Sequence, residues 1–324
     1  MEPRWIVRAW LCIARSYALE GRSDAVADAI IEMQRLPLAG LVRHMALNAA
    51  TAYYRHHVRK ATHALPYYGD PNFHLAGSIR FDDPKWLMPL PKGFALGDED
   101  QKWVIRFEPQ GKFKERLSFA DLDYATSDEN GRIYAVVKGD VMVPGVGRRK
   151  LRYTVAPGKQ KQVKVRTLAV DRAGRLWVHR DGGGLMLFEV TREGKVLHRE
   201  SAFDGRSFKL HRVQIDPWQR LWLISTKARS VRAYFRDGTP AVTLETGRWR
   251  LEKPVAVGWD ILGHIHVLDV KRKAIVIYSP AGKFLKSVDL HVILQNVEPR
   301  DMVVMPDGSI YILDRAAKTV FRLI

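Results

Sequence analysis

A short phrase recurs six times along this chain, and that recurrence limits the possible folds more than any other feature. The phrase is an apolar–x–apolar step, an aspartate, a turn carrying glycine, then leucine or isoleucine followed by an aromatic residue. "TLAVDRAGRLWV" carries it at Leu176 and "RVQIDPWQRLWLI" at Leu221, with Gln219 in the glycine slot. "VAVGWDILGHIHV" carries it at Ile265, "MVVMPDGSIYIL" at Ile310 and "DYATSDENGRIYAV" at Ile133, and a degraded copy sits at Phe94. Successive anchors are 39, 43, 45, 44 and 45 residues apart. The same period explains why the GKF triplets around Gly111 and Gly282 lie 171 residues apart, four periods.

Each unit reads as four short strands. Apolar and polar residues alternate along the strands, and D-x-x-G or D-G marks the tight turn between the first two. Four-stranded units at this spacing are the signature of propeller blades, and a closed ring buries the sheet faces that a lone blade leaves open. Six copies predict six blades. The last copy ends at "AAKTVFRLI", which supplies a third strand only. We therefore expect "NFHLAGSIRF", residues 72–81, to donate the fourth and close the ring.

Residues 1 to about 65 follow a different pattern. "RAWLCIARSYALEGRSDAVADAIIEMQRLP" reads as two amphipathic helices, the first ended by Gly21 and the second capped by Ser23 or Asp24. Trp10, Ile13, Ala14, Tyr17, Gly21, Ile30 and Pro37 resemble a tetratricopeptide repeat, with the proline about one position out of place. A third helix, "LAGLVRHMALNAATAYYRHHVRKATHAL", follows, and "PYYGDPN" at 66–72 is the expected junction. The predicted organisation is a mainly β chain: a helical, tetratricopeptide-like segment at 1–65 and a six-bladed β-propeller at 72–324.

The blade phrase in "KPVAVGWDILGHIHVLDVKRKAIVIYSPAGKFL" and "EPRDMVVMPDGSIYILDRAAKTVFRL" resembles the NHL repeat, with Pro254, Pro299, Val257, Asp269 and Asp314 at that family's positions. The resemblance runs over about residues 72 to 324 and is strongest in the last two blades. It implies a binding platform for proteins or RNA. Lactonases and lyases share the six-bladed shape, so the fold leaves function open.

The formal net charge is +18, which favours polyanionic partners without choosing among them. The single cysteine, Cys12, rules out a disulfide framework and a thiolate zinc cluster. Arg8 and Arg15 interrupt the longest N-terminal apolar stretch, so no transmembrane run and no export signal are expected. The compartment stays open: cytoplasmic is the default. The chain opens in the middle of a helical pattern, which is compatible with a missing upstream segment and an extracytoplasmic address.

Three groups of residues are candidates for function. Lys85, Arg166, Arg212 and Arg300 stand just before the apolar core of the predicted inner strands, where they would form an arginine-rich rim able to bind carboxylate or phosphate. The alternative is that they pair with Asp123 and Asp301 and plug the channel. Asp98, Asp269 and Asp314 each follow an anchor by four residues and fall on one sector, either as a polar cluster or as turn-capping aspartates. Arg148, Arg149, Lys150, Lys161 and Lys164 belong to an acid-free stretch expected to form a basic outer edge, for phosphate tracking or for protection against edge pairing. His264 and His266 are spaced like a metal pair, yet His266 occupies a slot held by Tyr134, Trp177, Trp222 and Tyr311 in other copies. No metal site and no cofactor are expected. No nucleophile elbow, P-loop or zinc-protease helix is present, and the glycines of "RDGGGLMLF" have no helix after them. The expected function is therefore a non-enzymatic scaffold that binds protein partners through the propeller face and the helical segment. The alternatives are binding of RNA or another polyanion, and a propeller hydrolase or lyase with a metal at the channel mouth.

Overall fold

The structure, a computed structural model, describes residues 67, 69–70, 73–75, 79–156, 159–191, 193–203, 209–245, 249–260, 263–305 and 308–324. The tetratricopeptide-like segment lies outside the described residues. The rest is a six-bladed β-propeller. Its sheets are built on the inner strands Pro84–Leu90, Tyr124–Ser127, Val165–Val170, Arg212–Ile215, Pro254–Trp259 and Pro299–Val304. These strands neighbour one another in a closed circle. Five sheets have four antiparallel strands and the sixth has three.

The repeat phrase maps directly onto this architecture. Ile133, Leu176, Leu221, Ile265 and Ile310 each begin the second strand of a blade, and Phe94 is the second residue of its own. All six are buried, and the aromatic slot after the anchor holds the fully buried Trp177, Trp222 and Tyr311. His266 sits in that slot at 1% exposure, so it is a packing residue. The turn aspartate has a repeated local task. Asp128, Asp171 and Asp216 each accept from the backbone N–H and from Nε of the arginine four residues on, at 2.5–3.0 Å. In blade five a histidine takes the arginine's place, and Asp260 accepts from His264 N at 2.9 Å and bonds Nδ1 at 2.7 Å.

The seam differs from the expected one. Gly69 pairs with Leu323 in an isolated antiparallel bridge, and Asp70 N donates to Arg322 O at 2.8 Å. The closing contact therefore lies upstream of 72–81. The described part of that segment holds no strand; instead Phe73 wedges between Tyr311 of blade six and Phe94 of blade one, at 5.5 and 6.2 Å between ring centres. It joins the two ends by packing rather than by pairing.

The basic stretch also differs. Gly147–Arg149 is the outer strand of blade two, but Arg152–Ala156 and Lys159–Gln162 form a separate hairpin beside blade three. All four residues of its second strand are exposed.

Candidate functional site

Two neighbouring positions at the start of each inner strand decide the character of the propeller's mouth. Aligned by strand register, the first position holds Lys85, Asp123, Arg166, His211, Val255 and Arg300. The second holds Trp86, Tyr124, Thr167, Arg212, Ala256 and Asp301. In blades one, three, five and six the register shifts between these positions, leaving the first residue as the extra one of a bulge. A bulge re-aims its extra side chain.

The second layer closes the channel. Arg212 donates to Asp301 with both terminal nitrogens, at 2.7 and 2.8 Å, across the ring from blade four to blade six. Asp301 also accepts from Leu87 N at 2.7 Å and from Met302 N at 2.8 Å. Arg212 lies over the ring of Tyr124, which meets Trp86 edge-on. Burial works against the Arg212 charge, but the Asp301 carboxylate outweighs it and holds the guanidinium protonated above its ordinary value. Arg212 thus belongs to the plug and not to the rim; the rim residue of blade four is His211.

The rim is unevenly neutralised. Lys85 pairs with Asp83 at 3.2 Å and with Glu99, and Arg300 pairs with Asp83. Between blades three and four the balance is different. There Arg166, Arg180, Lys209, His211 and Lys227 surround an open pocket of about 430 Å³, and no carboxylate lines it among the described residues. Arg166 has one acidic neighbour, Asp181 at 3.7 Å, with both side chains half exposed or more. Arg180 is anchored by donating to Tyr153 Oη at 3.1 Å from the basic hairpin. Gly184 allows this placement, since a Cβ there would meet Arg180 Nε at 2.3 Å. Gly182 and Gly183, both at positive φ, turn the chain past the pocket. Crowding around His211, then the Arg212 charge, push its imidazole down to about 4, while its exposed edge faces the pocket. It is therefore neutral at neutral pH.

The three aspartates are each taken up by backbone donors. Asp98 accepts from Asp82 N, Asp83 N and Gln101 N. Asp269 accepts from Glu252 N, Lys253 N, Lys271 N and Arg272 N, and Asp314 from Glu298 N and Ala316 N. All three are buried carboxylates that tie the loop entering the inner strand to the turn beside it. Ser225 does the same in blade four, donating to Lys209 O and accepting from Ala228 N. The metal expected of a lyase or hydrolase at this mouth finds no ligand set: no group of three His, Cys, Asp or Glu among the described residues could hold one. On the basic edge, Arg148 is bound to Asp140 at 2.9 Å and Arg149 to Gly194 O at 3.0 Å, whereas Lys150, Lys161 and Lys164 are exposed.

No family model and no characterised protein matches the sequence. Among solved structures, the chain is similar to a protein of unknown function from Bacteroides thetaiotaomicron, at 13% identity and TM-score 0.56 over 79% of this chain and 72% of that one. It is similar to a streptogramin B lyase at 11% identity and TM-score 0.50, over 80% of this chain and 97% of the other. A putative gluconolactonase aligns at 14% identity and TM-score 0.48 over 78% of this chain and 93% of the other. At these identities the likeness establishes the six-bladed fold. The expectation of a non-enzymatic scaffold is corrected here: the similar propeller at TM-score 0.50 whose activity is named is a lyase.

Proposed function

We propose that this propeller is an enzyme of the lyase or hydrolase kind, acting on a small molecule that carries a carboxylate or phosphate. The pocket between blades three and four is its site. The observation that supports this most is the contrast within one rim: Lys85 and Arg300 of blades one and six are paired with acids, whereas four cations and two histidines line the pocket with no lining carboxylate among the described residues, the one acidic neighbour being Asp181, 3.7 Å from Arg166. Arg166 offers planar, two-point donation to the anionic group, and Lys209 and Lys227 add point charges.

His211 is the proton acceptor in this reading. Its neutral imidazole keeps a free lone pair beside a fixed cation, Arg212. A bound anion opposes that cation and raises the proton affinity of His211, so the base strengthens once substrate is seated. A proton taken from carbon next to a carboxylate sends negative charge onto the carboxylate oxygens, opposite Arg166 and the lysines, where charge stabilisation matters most. The streptogramin B lyase similarity supports a reaction of this class on this fold.

The test separates binding from turnover. Sulfate binding is measured by calorimetry, and turnover on a panel of anionic esters, lactones and β-substituted acids is followed by proton release and ultraviolet absorbance. Arg166→Ala with Lys209→Ala is expected to abolish both. His211→Gln is expected to abolish turnover and retain sulfate. Sulfate binding that ignores the double variant refutes the site.

A further inference from the structure

The opposite mouth of the ring carries a second cavity with the opposite chemistry. Three residues after the plug layer, each inner strand presents an equivalent position: Pro89, Ser127, Val170, Ile215, Trp259 and Val304. All six line one axial cup of about 240 Å³, to which Leu90 and Met305 add apolar wall. Toward the other mouth the axis is closed by Gln214, whose Oε1 accepts from Val257 N at 3.1 Å, and by the Arg212–Asp301 pair.

The charged groups around the cup are already bound to one another, while the Trp259 indole N–H is buried there with no acceptor among the described residues. Arg172 donates to Glu129 at 2.6 Å, and Gln219 Oε1 accepts from Arg172 N and from Arg236. Asp128 is held by Arg132, and Asp216 by Arg220 and the Trp222 indole. Ser127 Oγ donates to Pro89 O. A charged ligand would lose its hydration and find every opposite charge committed, which is costly. A neutral apolar ligand leaves those charge pairs intact and covers the walls. An apolar cavity of about 150 Å³ accepts benzene, so this cup has room for a substituted single ring or a fused pair, about ten heavy atoms.

We infer that the cup at the turn-bearing mouth is a binding site for a small, neutral, apolar molecule, aromatic or alicyclic, separate from the basic pocket. The test uses the full chain and 4-fluorotoluene as probe, followed by fluorine NMR line width. Native protein is expected to broaden the probe saturably, with displacement by indole. Ile215→Trp, which fills the cup, and Ile215→Lys, which places a charge in it, are each expected to weaken binding by about tenfold or more. Both variants are first shown to be folded by circular dichroism and to bind sulfate as native protein does, which keeps failure here distinct from failure of the anion site. Broadening that rises linearly without saturation overturns the inference, as does saturable binding that survives Ile215→Trp.

Discussion

Replacing Asp301 with alanine tests the closed channel most directly. The carboxylate accepts two bonds from Arg212 and one each from Leu87 N and Met302 N, all at 2.7–2.8 Å, and it is fully buried. Its removal leaves the Arg212 charge in the interior with no counter-ion, a loss of about 3–5 kcal/mol for a buried pair broken on one side. The Leu87 N–H is orphaned at the same time, at about 1–3 kcal/mol, although the two effects share a site and do not simply add. We expect about 4 kcal/mol in total, read as a lower urea midpoint at unchanged slope. For a ring of about 250 residues this lowers Tm by about 8–16 °C. The double variant Arg212→Met with Asp301→Leu removes the charge together with its partner, and apolar replacements of buried pairs are often neutral. It keeps only the loss of the acceptor for the Leu87 and Met302 N–H groups, which the single variant shares, so it should be more stable than Asp301→Ala by about 2 kcal/mol. A single variant within about 1 kcal/mol of native protein would refute a buried, unscreened pair, as would a double variant no better than the single.

Sulfate, whose charge is constant over the range, should bind more tightly as pH falls from 7 toward the low His211 value, because the anion favours the imidazolium; His211→Gln should flatten that profile in calorimetry. Burial pushes Asp260 up, yet the hydrogen bonds and charges of His264 and His266 outweigh it and hold the carboxyl below its ordinary range. Such a group stabilises the fold above the unfolded value of about 3.9 and loses that contribution as pH falls through its folded value, so Asp260→Asn should destabilise at pH 7 and narrow the gap to native protein in acid, by urea titration. A chain beginning at Phe73 lacks the Gly69–Leu323 bridge and the Asp70–Arg322 contacts, and should melt below one beginning at Leu65. Equal melting would show that Phe73 packing alone closes the ring.

The blades were legible because their signal is simple: one anchor and one aromatic slot per unit, both obliged to be buried. Leu176 and Trp177, or Ile310 and Tyr311, announce themselves by size and period. The seam was not legible because among the described residues it shows a single bridge at Gly69, and one bridge leaves no alternation to read. "NFHLAGSIRF" drew attention through its aromatic residues, which pack without pairing. The rim and the plug were merged for a subtler reason. His211 and Arg212 are adjacent, and only the bulges in the neighbouring blades show which of two successive positions faces the channel. A one-residue shift of register exchanges a solvent-facing cation for a buried one. The pocket itself depends on which cations lack acids, and pairing across blades, as between Arg300 and Asp83, is invisible before folding.

A plugged axis has a consequence for the chemistry the ring can support. With Arg212 and Asp301 joined across the centre, no ligand can bridge the two mouths, and each mouth acts with its own residues. On the inner-strand entry side the rim cations Lys85, Arg166 and Arg300 sit at register shifts, outside the layer that the plug neutralises, and Arg180, Lys209 and Lys227 add to Arg166 beside blades three and four. The turn-bearing mouth has apolar walls because the aspartates of the repeat are consumed by the arginine, or histidine, four residues on. The chemistry of both ends thus follows from the same repeat: the features that hold each blade together also decide which charges remain available to a ligand. A net charge of +18 therefore says less about partners than its distribution does, since among the described residues a cluster of cations with no lining carboxylate stands beside blades three and four.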